Sequence, residues 1–324
     1  TGEGENIISE VFDRINKNNF NFSNIQRLWT KNFKNGIVKP TSPGKLVDIG
    51  RIVPDFSLFN EKRFLRPMGG RVFKTLPLET YRGCPFKCTF CNSPMQISFS
   101  KENNLGHFLR RKKIIEVKSL LKKLISRHKP DYIYMVDDSF LSRPRQEIFD
   151  FADMYSEFSL PFWFNTRPES CDEEILDKLK NVGLDRMSVG LEHGNFDFRK
   201  NVLLRNPSNE KLLRHLEIIA QSGVAFSVNT IIGFPGETRD MVFETIEFCR
   251  QIKNFDALTV SIFTPYHGTQ LRKKAVEDGF LDDKTLTIHT TSSSLLNMPN
   301  FSSKQIDGLF RTFLMYVRFE KNLW

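Results

Sequence analysis

Three cysteines lie within eight positions of one another in the segment YRGCPFKCTFCNSP, residues 81–94. Cys84, Cys88 and Cys91 follow the spacing C-x3-C-x2-C, and the whole chain has five cysteines. An odd number of cysteines, clustered in one loop, does not indicate a disulfide framework, and in a reducing compartment such a cluster more often binds metal. Three thiolates can hold three corners of a 4Fe–4S cluster, which leaves one iron open to a small molecule.

Zinc is the first alternative for this loop. It requires four ligands, or three ligands and an open water position, and His107 could complete such a site. Cys171 lies at a predicted helix start and Cys249 on a predicted helix face, so we interpret both as small apolar residues. A second alternative, from another class of protein, is a non-catalytic metal-binding module that binds RNA through its basic faces.

Charge and hydropathy restrict the other partners. The formal net charge is +9, but most basic clusters lie at helical spacing among apolar residues, as solvated helix faces do. This pattern argues against nucleic acid as the substrate. No apolar run approaches the ~18 residues of a membrane span and no signal peptide opens the chain, so we expect a cytoplasmic protein.

Strand-like and helix-like segments alternate from about residue 75, and this pattern predicts how the cysteine loop is positioned. Helix 172–182, for example, begins with acidic residues and ends at Gly183. The predicted strands are 75–80, 131–137, 161–166, 186–191, 224–232 and 257–264, and the predicted helices are 111–128, 145–157, 172–182, 208–222, 238–252 and 269–278. Six such units predict an α/β fold, a partial (β/α)6 barrel with chemistry at the carboxyl ends of its strands. The cysteine loop directly follows the first strand, and a helical pair is expected near 303–320.

The segment RGCPFKCTFC, with Phe90 just before the last cysteine, resembles the radical S-adenosylmethionine (SAM) enzymes over about residues 72–282. The resemblance implies that the three cysteines hold a 4Fe–4S cluster and that SAM binds the open iron. It also implies that SAM is cleaved reductively to a 5′-deoxyadenosyl radical, which abstracts hydrogen from a small-molecule substrate. A low-potential electron donor such as ferredoxin or flavodoxin would supply the electron.

Two further segments match SAM-binding parts of that family. YIYMVDDSF resembles the strand end that faces the methionine amino group, which implies a role for Asp137, Asp138 and Ser139. The alternative is that the aspartate pair caps the next helix. SVGLEHG resembles the segment whose acidic residue binds the ribose hydroxyls, which implies Glu192, although many relatives have serine at the position of His193.

The adenine and carboxylate contacts follow from two other segments. NTIIGFPGET resembles the strand that packs its backbone against adenine, which implies Ile231, Ile232 and Gly233, although PGET could instead only start a helix. Arg205, in LLRNPS, matches an arginine that can face the SAM carboxylate. A surface ion pair is the alternative for this arginine.

TPYHGTQL and the opening TGEGE resemble the branch of the family that carries an N-terminal cobalamin-binding domain. We therefore expect residues 1–72 to hold the end of that domain and a linker, 73–282 the barrel and 283–324 a C-terminal helical extension. The expected reaction is cobalamin-dependent methylation of an unactivated carbon. Ring closure, rearrangement and tRNA modification are the alternatives. Residues 5–18 form a predicted helix whose apolar face, with Ile8, Val11 and Phe12, would pack on the missing domain.

Overall fold

The structure is a computed structural model that describes residues 3–26, 28–31, 36, 38–39 and 44–324. The strands in this part of the chain are β1 (Thr30–Lys31), β2 (Val38–Lys39), β3 (Leu65–Met68), β4 (Arg71–Leu78), β5 (Tyr81–Arg82), β6 (Arg110–Arg111), β7 (Tyr132–Met135), β8 (Phe162–Thr166), β9 (Leu184–Glu192), β10 (Ala225–Ile232) and β11 (Ala257–Ile262). The helices are α1 (Glu5–Asn16), α2 (Asn92–Glu102), α3 (Ile114–His128), α4 (Arg145–Tyr155), α5 (Glu173–Lys180), α6 (Phe196–Asn201), α7 (Asn209–Ser222), α8 (Arg239–Arg250), α9 (Gln270–Glu277) and α10 (Ser303–Arg318).

A seven-stranded sheet in the order β11-β10-β9-β8-β7-β4-β3 forms the centre of the molecule. Its strands from β4 to β11 are parallel, and β3 pairs antiparallel with β4. The sheet curls into a half-barrel, which confirms the predicted partial barrel. Because the strands are parallel, the loops that follow them meet at one edge, and this edge includes the cysteine loop after β4.

Burial alternates along each central strand and separates the two faces of the sheet. On β8, Phe162 and Phe164 are buried in the hydrophobic core, whereas Trp163 and Asn165 between them are only half-buried. The core therefore lies between the sheet and its helices, and the opposite face lines the inside of the half-barrel, here called the lumen. None of the helices in the described residues is long and apolar enough to cross a membrane.

Some elements differ from the sequence-based expectation. α2, directly after the cysteine loop, was not expected because its segment NSPMQISFSKE has no apolar stripe; its buried residues are Ser93 and Ser100, and Cys91 is its N-cap. Near 303–320 there is a single helix, α10, rather than a pair, and a short 3₁₀ turn follows it. The expected linker contains β3 and several 3₁₀ turns, whose N-caps are Asp48, Asp55 and Asn60.

Glu3 connects the start of the described chain to the hairpin that precedes the cysteines. Its carboxylate pairs with Arg82 and Arg110, and it accepts a hydrogen bond from the backbone N–H of Val47. Burial opposes the charged form, but the two arginines and Val47 outweigh it and lower the pKa of Glu3 from 4.5 to about 2. Arg82 lies two residues before Cys84, so this network links the N-terminal segment to the cysteine loop.

We expect Glu3→Gln to destabilise the protein at neutral pH by about 2 kcal/mol, less than a fully buried pair because the arginines keep some access to water. The folded pKa lies below the unfolded one, so the contribution of Glu3 is complete above pH 4.5 and declines as the pH falls toward 2. The difference in unfolding free energy between parent and variant, measured by denaturant titration, should shrink across this range. Glu5→Gln, which removes a single pair with Arg82, is the matched control. A difference in unfolding free energy that stays constant across this pH range would contradict the stabilising role assigned to the Glu3 carboxylate.

Candidate active site

The cysteine loop is shaped by local hydrogen bonds and one glycine. The Ser93 hydroxyl donates to the carbonyl of Cys84 and accepts from its N–H, both at 3.0 Å, which brings the two ends of the loop together. Gly83 has φ +94°, and a Cβ there would lie 3.0 Å from side-chain carbons of Phe108 and Leu109. Only glycine therefore fits the turn that leads into Cys84.

The three thiols lie close enough to influence one another. Burial raises the pKa of the Cys84 thiol to about 11, and the charges of Cys88 and Cys91 add to this effect. Cys88 and Cys91 line a cavity of about 190 Å³, together with Thr89, Pro94, Met95, Ser98, Gly268, Thr269 and Gln270. Its sulfur donors are the two thiols and the Met95 thioether, its other polar side chains are hydroxyls and one amide, and no histidine or carboxylate lines it.

Among the described residues, no group of three His, Cys, Asp or Glu side chains could hold a single metal ion. In a 4Fe–4S cube each thiolate binds a separate iron, so its ligands need not converge on one point. Soft sulfur donors of this kind suit an iron–sulfur cluster. Cys171 and Cys249 are fully buried in the hydrophobic core and are not part of the loop.

The two aspartates after β7 have different surroundings. Asp137 is buried and accepts hydrogen bonds from the N–H groups of Thr80 and Tyr81, from the Thr80 hydroxyl and from Arg143. Asp138 is exposed and close to the thiols, because its charge contributes to the raised pKa of both Cys84 and Cys91. Desolvation and the neighbouring Asp137 raise the pKa of Asp138 itself.

Ser139 is buried and its hydroxyl accepts from the hydroxyl of Ser142 at 2.6 Å. Within the predicted Asp-Asp-Ser set, Asp138 is therefore the exposed side chain that a ligand could reach, and it also accepts a hydrogen bond from the backbone of Gly83. Asp137 and Ser139 instead hold the loop that presents it.

Glu192 ends β9 in a strained conformation beside the thiols. Its φ is +68°, which is uncommon for a residue other than glycine, and a register shift between β9 and β10 lies next to it. Its carboxylate is 3.6 Å from the guanidinium of Arg205. Burial raises the pKa of Glu192, although Arg205 and Arg167 oppose this. A Cβ at Gly190 would lie 2.3 Å from the carboxylate oxygen, so a side chain there would force the carboxylate to move.

Arg205 connects the acidic residue to the cysteine loop. It is buried and donates to the carbonyl of Gly190. Burial opposes its charge, but the negative charges of Glu192 and Cys88 raise its pKa. The structure therefore brings together Arg205, Glu192 and Cys88, which the sequence predicted only as separate motifs.

Sequence reasoning missed Arg167 and Glu169, which follow β8. The guanidinium carbon of Arg167 lies 3.7 Å from the ring centroid of Phe86 inside the cysteine loop, and its Nη2 is 2.5 Å from Glu169. The charges of Cys84 and Cys88 act on Arg167, whose pKa is lowered by burial and by Arg205. Both Glu169 oxygens are buried; Oε1 pairs with Arg167, and Oε2 has no hydrogen-bond donor among the described residues. The sequence held one signal for these two residues, which is their position. They directly follow a strand, and the predicted site residues also follow the carboxyl ends of strands.

The ends of β10 and β11 form an apolar side of the site. Ile231 is half-buried, whereas Ile232 is buried in the helix-side core. Gly233 has φ +83°, and a Cβ there would lie 3.0 Å from Ile306 of α10, so the C-terminal helix covers this backbone. The ring of Phe90 lies 5.6 Å from that of Phe234, which links this side to the cysteine loop.

A buried hydrogen-bonded pair joins the ends of β9 and β10. His193 Nδ1 accepts from the N–H of Asn195, so in the neutral imidazole Nε2 carries the proton and donates to Glu237 at 2.9 Å. Glu237 also accepts from the backbone N–H groups of Gly233 and Phe234. The pair fixes the segment after Glu192 relative to the segment at Gly233.

Comparison with known proteins identifies the class. A sequence profile of the Radical SAM superfamily matches residues 78–249, more than half of the chain. The chain therefore belongs to the Radical SAM superfamily, and it is an enzyme that uses a 4Fe–4S cluster and SAM.

Two curated proteins and one solved structure are similar to the chain. An uncharacterized methyltransferase of Pyrococcus horikoshii is 26% identical over 313 residues, covering 96% of this chain and 64% of its own length. The anaerobic magnesium-protoporphyrin IX monomethyl ester cyclase of Rubrivivax gelatinosus is 24% identical over 284 residues, covering 83% of this chain and 47% of its own length. The radical SAM methyltransferase TsrM from Kitasatospora setae, solved with cobalamin and a 4Fe–4S cluster, has a TM-score of 0.58 at 17% identity and covers 86% of this chain and 53% of its own. The chain thus spans half to two thirds of these relatives' length, and TsrM shares its fold.

We expect Glu192→Ala to weaken SAM binding by roughly ten- to a hundredfold, because a charged acceptor typically contributes ~1.5–3 kcal/mol. The iron content should not change, because the carboxylate is not one of the proposed cluster ligands. Equilibrium binding of SAM to the reconstituted protein measures the first effect and iron analysis the second. Gly190→Ala should also weaken binding, since its Cβ would displace the carboxylate. Glu217→Ala, at an exposed position on α7, is the control. Unchanged SAM affinity in Glu192→Ala would remove this residue from the site.

Proposed function

We propose that this chain is the radical-generating part of a cobalamin-dependent methyltransferase that methylates an unactivated carbon of a small molecule. The observation that carries the radical part is the convergence of Cys88, Arg205 and Glu192 at the carboxyl edge of the sheet. The methyl-transfer part is supported by the similarity to the Pyrococcus methyltransferase, which extends over nearly the whole chain rather than the superfamily region alone.

The site's residues suit both cofactors by their chemistry. Sulfur donors suit the cluster, and the buried Oε2 of Glu169, the oxygen that does not pair with Arg167, suits an ammonium donor. Arginine suits a carboxylate, and Glu192 suits ribose hydroxyls. The proposed contacts are Cys84, Cys88 and Cys91 for the cluster, Asp138 and Glu169 for the SAM ammonium, Arg167 and Arg205 for its carboxylate, Glu192 for the ribose, and Ile231 and Gly233 for the adenine, with Phe90 packed beneath.

Together the bound cluster and SAM supply a 5′-deoxyadenosyl radical for hydrogen abstraction. The protein must orient SAM and exclude water and stray hydrogen donors from the reaction. Phe234 serves the second purpose, because it is fully buried and its ring contacts those of Phe90 and Phe263. The electron donor is proposed to be a ferredoxin or flavodoxin.

Cobalamin would supply the methyl group from a domain that precedes the barrel. We propose that residues 1–72 include the end of that domain and the linker, with the barrel at 73–282 and its helical extension at 283–324. The exposed apolar face of α1 supports this division: no residue of α1 is buried, and Ile8 and Phe12 are 58% and 59% exposed. Such a face would pack on a neighbouring domain.

The test uses protein expressed from the complete gene and reconstituted anaerobically with iron and sulfide. With reductant, SAM and hydroxocobalamin, we expect release of both 5′-deoxyadenosine and S-adenosylhomocysteine. One SAM is cleaved reductively to the radical, and reduced cobalamin takes the methyl group of another SAM, which leaves S-adenosylhomocysteine and methylcobalamin. 5′-Deoxyadenosine without S-adenosylhomocysteine, and without bound cobalamin, would contradict methyl transfer. That outcome would favour ring closure, the activity in the name of the Rubrivivax relative.

A further inference from the structure

A cavity of about 490 Å³ lies between the linker and the lumen face of β4 and β7. We call it the linker cavity. Its lining residues are Phe56, Phe59, Arg63, Phe64, Arg66, Thr75, Pro77, Tyr134 and Val136. The volume lies within the usual range of small-molecule sites. Val136 directly precedes Asp137 and Asp138, so the cavity lies close to the carboxyl edge of the sheet that carries the cysteine loop.

The charge of the linker cavity is positive. Arg63 and Arg66 line it, no acidic residue does, and neither arginine forms an ion pair with any residue that the structure describes. The nearest acidic neighbour in sequence, Glu61, pairs with Lys74 at 2.9 Å. The guanidinium carbon of Arg63 lies 5.9 Å from the ring centroid of Phe59, in the aromatic wall. Two arginines that form no ion pair in the described part of the chain, beside aromatic rings, suit an organic anion.

Two hydroxyl groups of the cavity can form hydrogen bonds that no described residue provides. Thr75 is 5% exposed, and its buried hydroxyl has no hydrogen-bond partner among the residues that the structure describes. The Tyr134 hydroxyl accepts from the Asn165 amide at 2.8 Å, which leaves its own proton free to donate. An unsatisfied buried hydroxyl costs free energy unless a ligand or water completes it, so Thr75 indicates a polar ligand atom at this point.

We propose that the linker cavity binds the substrate, and that the substrate is an organic anion with an apolar, ring-containing body. The rings of Phe56, Phe64 and Tyr134 contact the body. Arg63 and Arg66 bind its carboxylate or phosphate, and the hydroxyls of Thr75 and Tyr134 hydrogen-bond to it. This assignment rests on the proposed function, because it takes the lumen beside the cysteine loop as the place of reaction.

The test measures equilibrium binding of three probes to the reconstituted, SAM-bound protein at low ionic strength. The probes are naphthalene-2-carboxylate, 2-naphthyl phosphate and the neutral naphthalene-2-carboxamide. We expect at least one anion to bind about tenfold more tightly than the amide, as expected for a charge-assisted contact. The tighter anion identifies the group as carboxylate or phosphate. Equal affinities for all three probes would overturn the proposal.

Variants assign the contacts. Arg63→Gln and Arg66→Gln should each weaken binding of the preferred anion by about tenfold and leave that of the amide unchanged. Thr75→Val should also weaken binding of the preferred anion. It should not lower the stability of the ligand-free protein, because the hydroxyl that it removes is buried and unsatisfied there. Arg71→Gln is the matched control, since Arg71 lies on the same β3–β4 hairpin but does not line the cavity. Unchanged affinity in Arg63→Gln, Arg66→Gln and Thr75→Val, or an equal loss in Arg71→Gln, would overturn the proposal.

Release of 5′-deoxyadenosine without substrate, measured in the same samples, separates the two proposals. Protein that cleaves SAM but binds no anionic probe would retain the radical function and lose the linker cavity as its substrate site. Protein that binds the anions with the expected variant pattern supports the cavity as a site for them, and its failure to form 5′-deoxyadenosine would contradict the radical function alone.

Discussion

Replacement of Cys84, Cys88 or Cys91 by alanine is expected to abolish the iron–sulfur cluster. A 4Fe–4S cube has no other protein ligand in this loop, so losing one of three thiolates leaves two irons without protein ligands. Parent protein reconstituted anaerobically should be brown and hold about four irons per chain, and the variants should show little iron and no cluster absorbance. In the variants, loss of the cluster should also reduce the release of 5′-deoxyadenosine to background.

Cys171→Ala and Cys249→Ala are the matched controls for these three variants. Both residues are fully buried in the core and are not part of the cysteine loop. These variants should keep full iron content while losing some stability, because each leaves a small cavity. Parent protein that holds only zinc after anaerobic preparation, or a Cys88→Ala variant with full iron content, would contradict the assignment of the cluster.

Glu237→Ala is expected to destabilise the protein by about 3–5 kcal/mol, since it leaves three buried N–H donors without an acceptor. These donors belong to His193, Gly233 and Phe234. The variant should also weaken SAM binding at temperatures well below its unfolding transition, because the segments proposed to bind the ribose and the adenine lose their connection. Thermal unfolding measures the first effect and equilibrium SAM binding the second.

Two further variants separate positioning from bulk stability. Glu237→Gln keeps a carbonyl for the backbone N–H groups but cannot satisfy His193 as well, so it should destabilise less than alanine. Glu244→Ala removes an exposed carboxylate whose one hydrogen bond within the described part of the chain comes from the Asn195 side chain, and its effect should be small. Normal SAM affinity in folded Glu237→Ala would leave the pair with a purely structural role.

The sequence alone predicted the half-barrel because its signals are local and repeated. Each strand is a short apolar run and each helix has a cap and a stop, such as Ser208 and Gly223 around α7. Each of these signals is contained in a few neighbouring residues, so it can be recognised without knowledge of the rest of the chain. α2 was not predicted because it buries serines and depends on Cys91 as its cap.

The same locality explains which parts of the site could be predicted. The cysteine spacing is contained in eight residues, so the sequence by itself determined the cluster chemistry, the order of the units and the side of the sheet on which chemistry occurs. The two aspartates after β7 have identical side chains, and only tertiary contacts show that Asp137 is buried and bound by Thr80 and Arg143 while Asp138 is exposed. Residues far apart in the chain meet in the Arg167–Phe86 contact, the His193–Glu237 pair and the linker cavity. The folded structure alone decided these, because burial and charge pairing depend on which strands lie side by side.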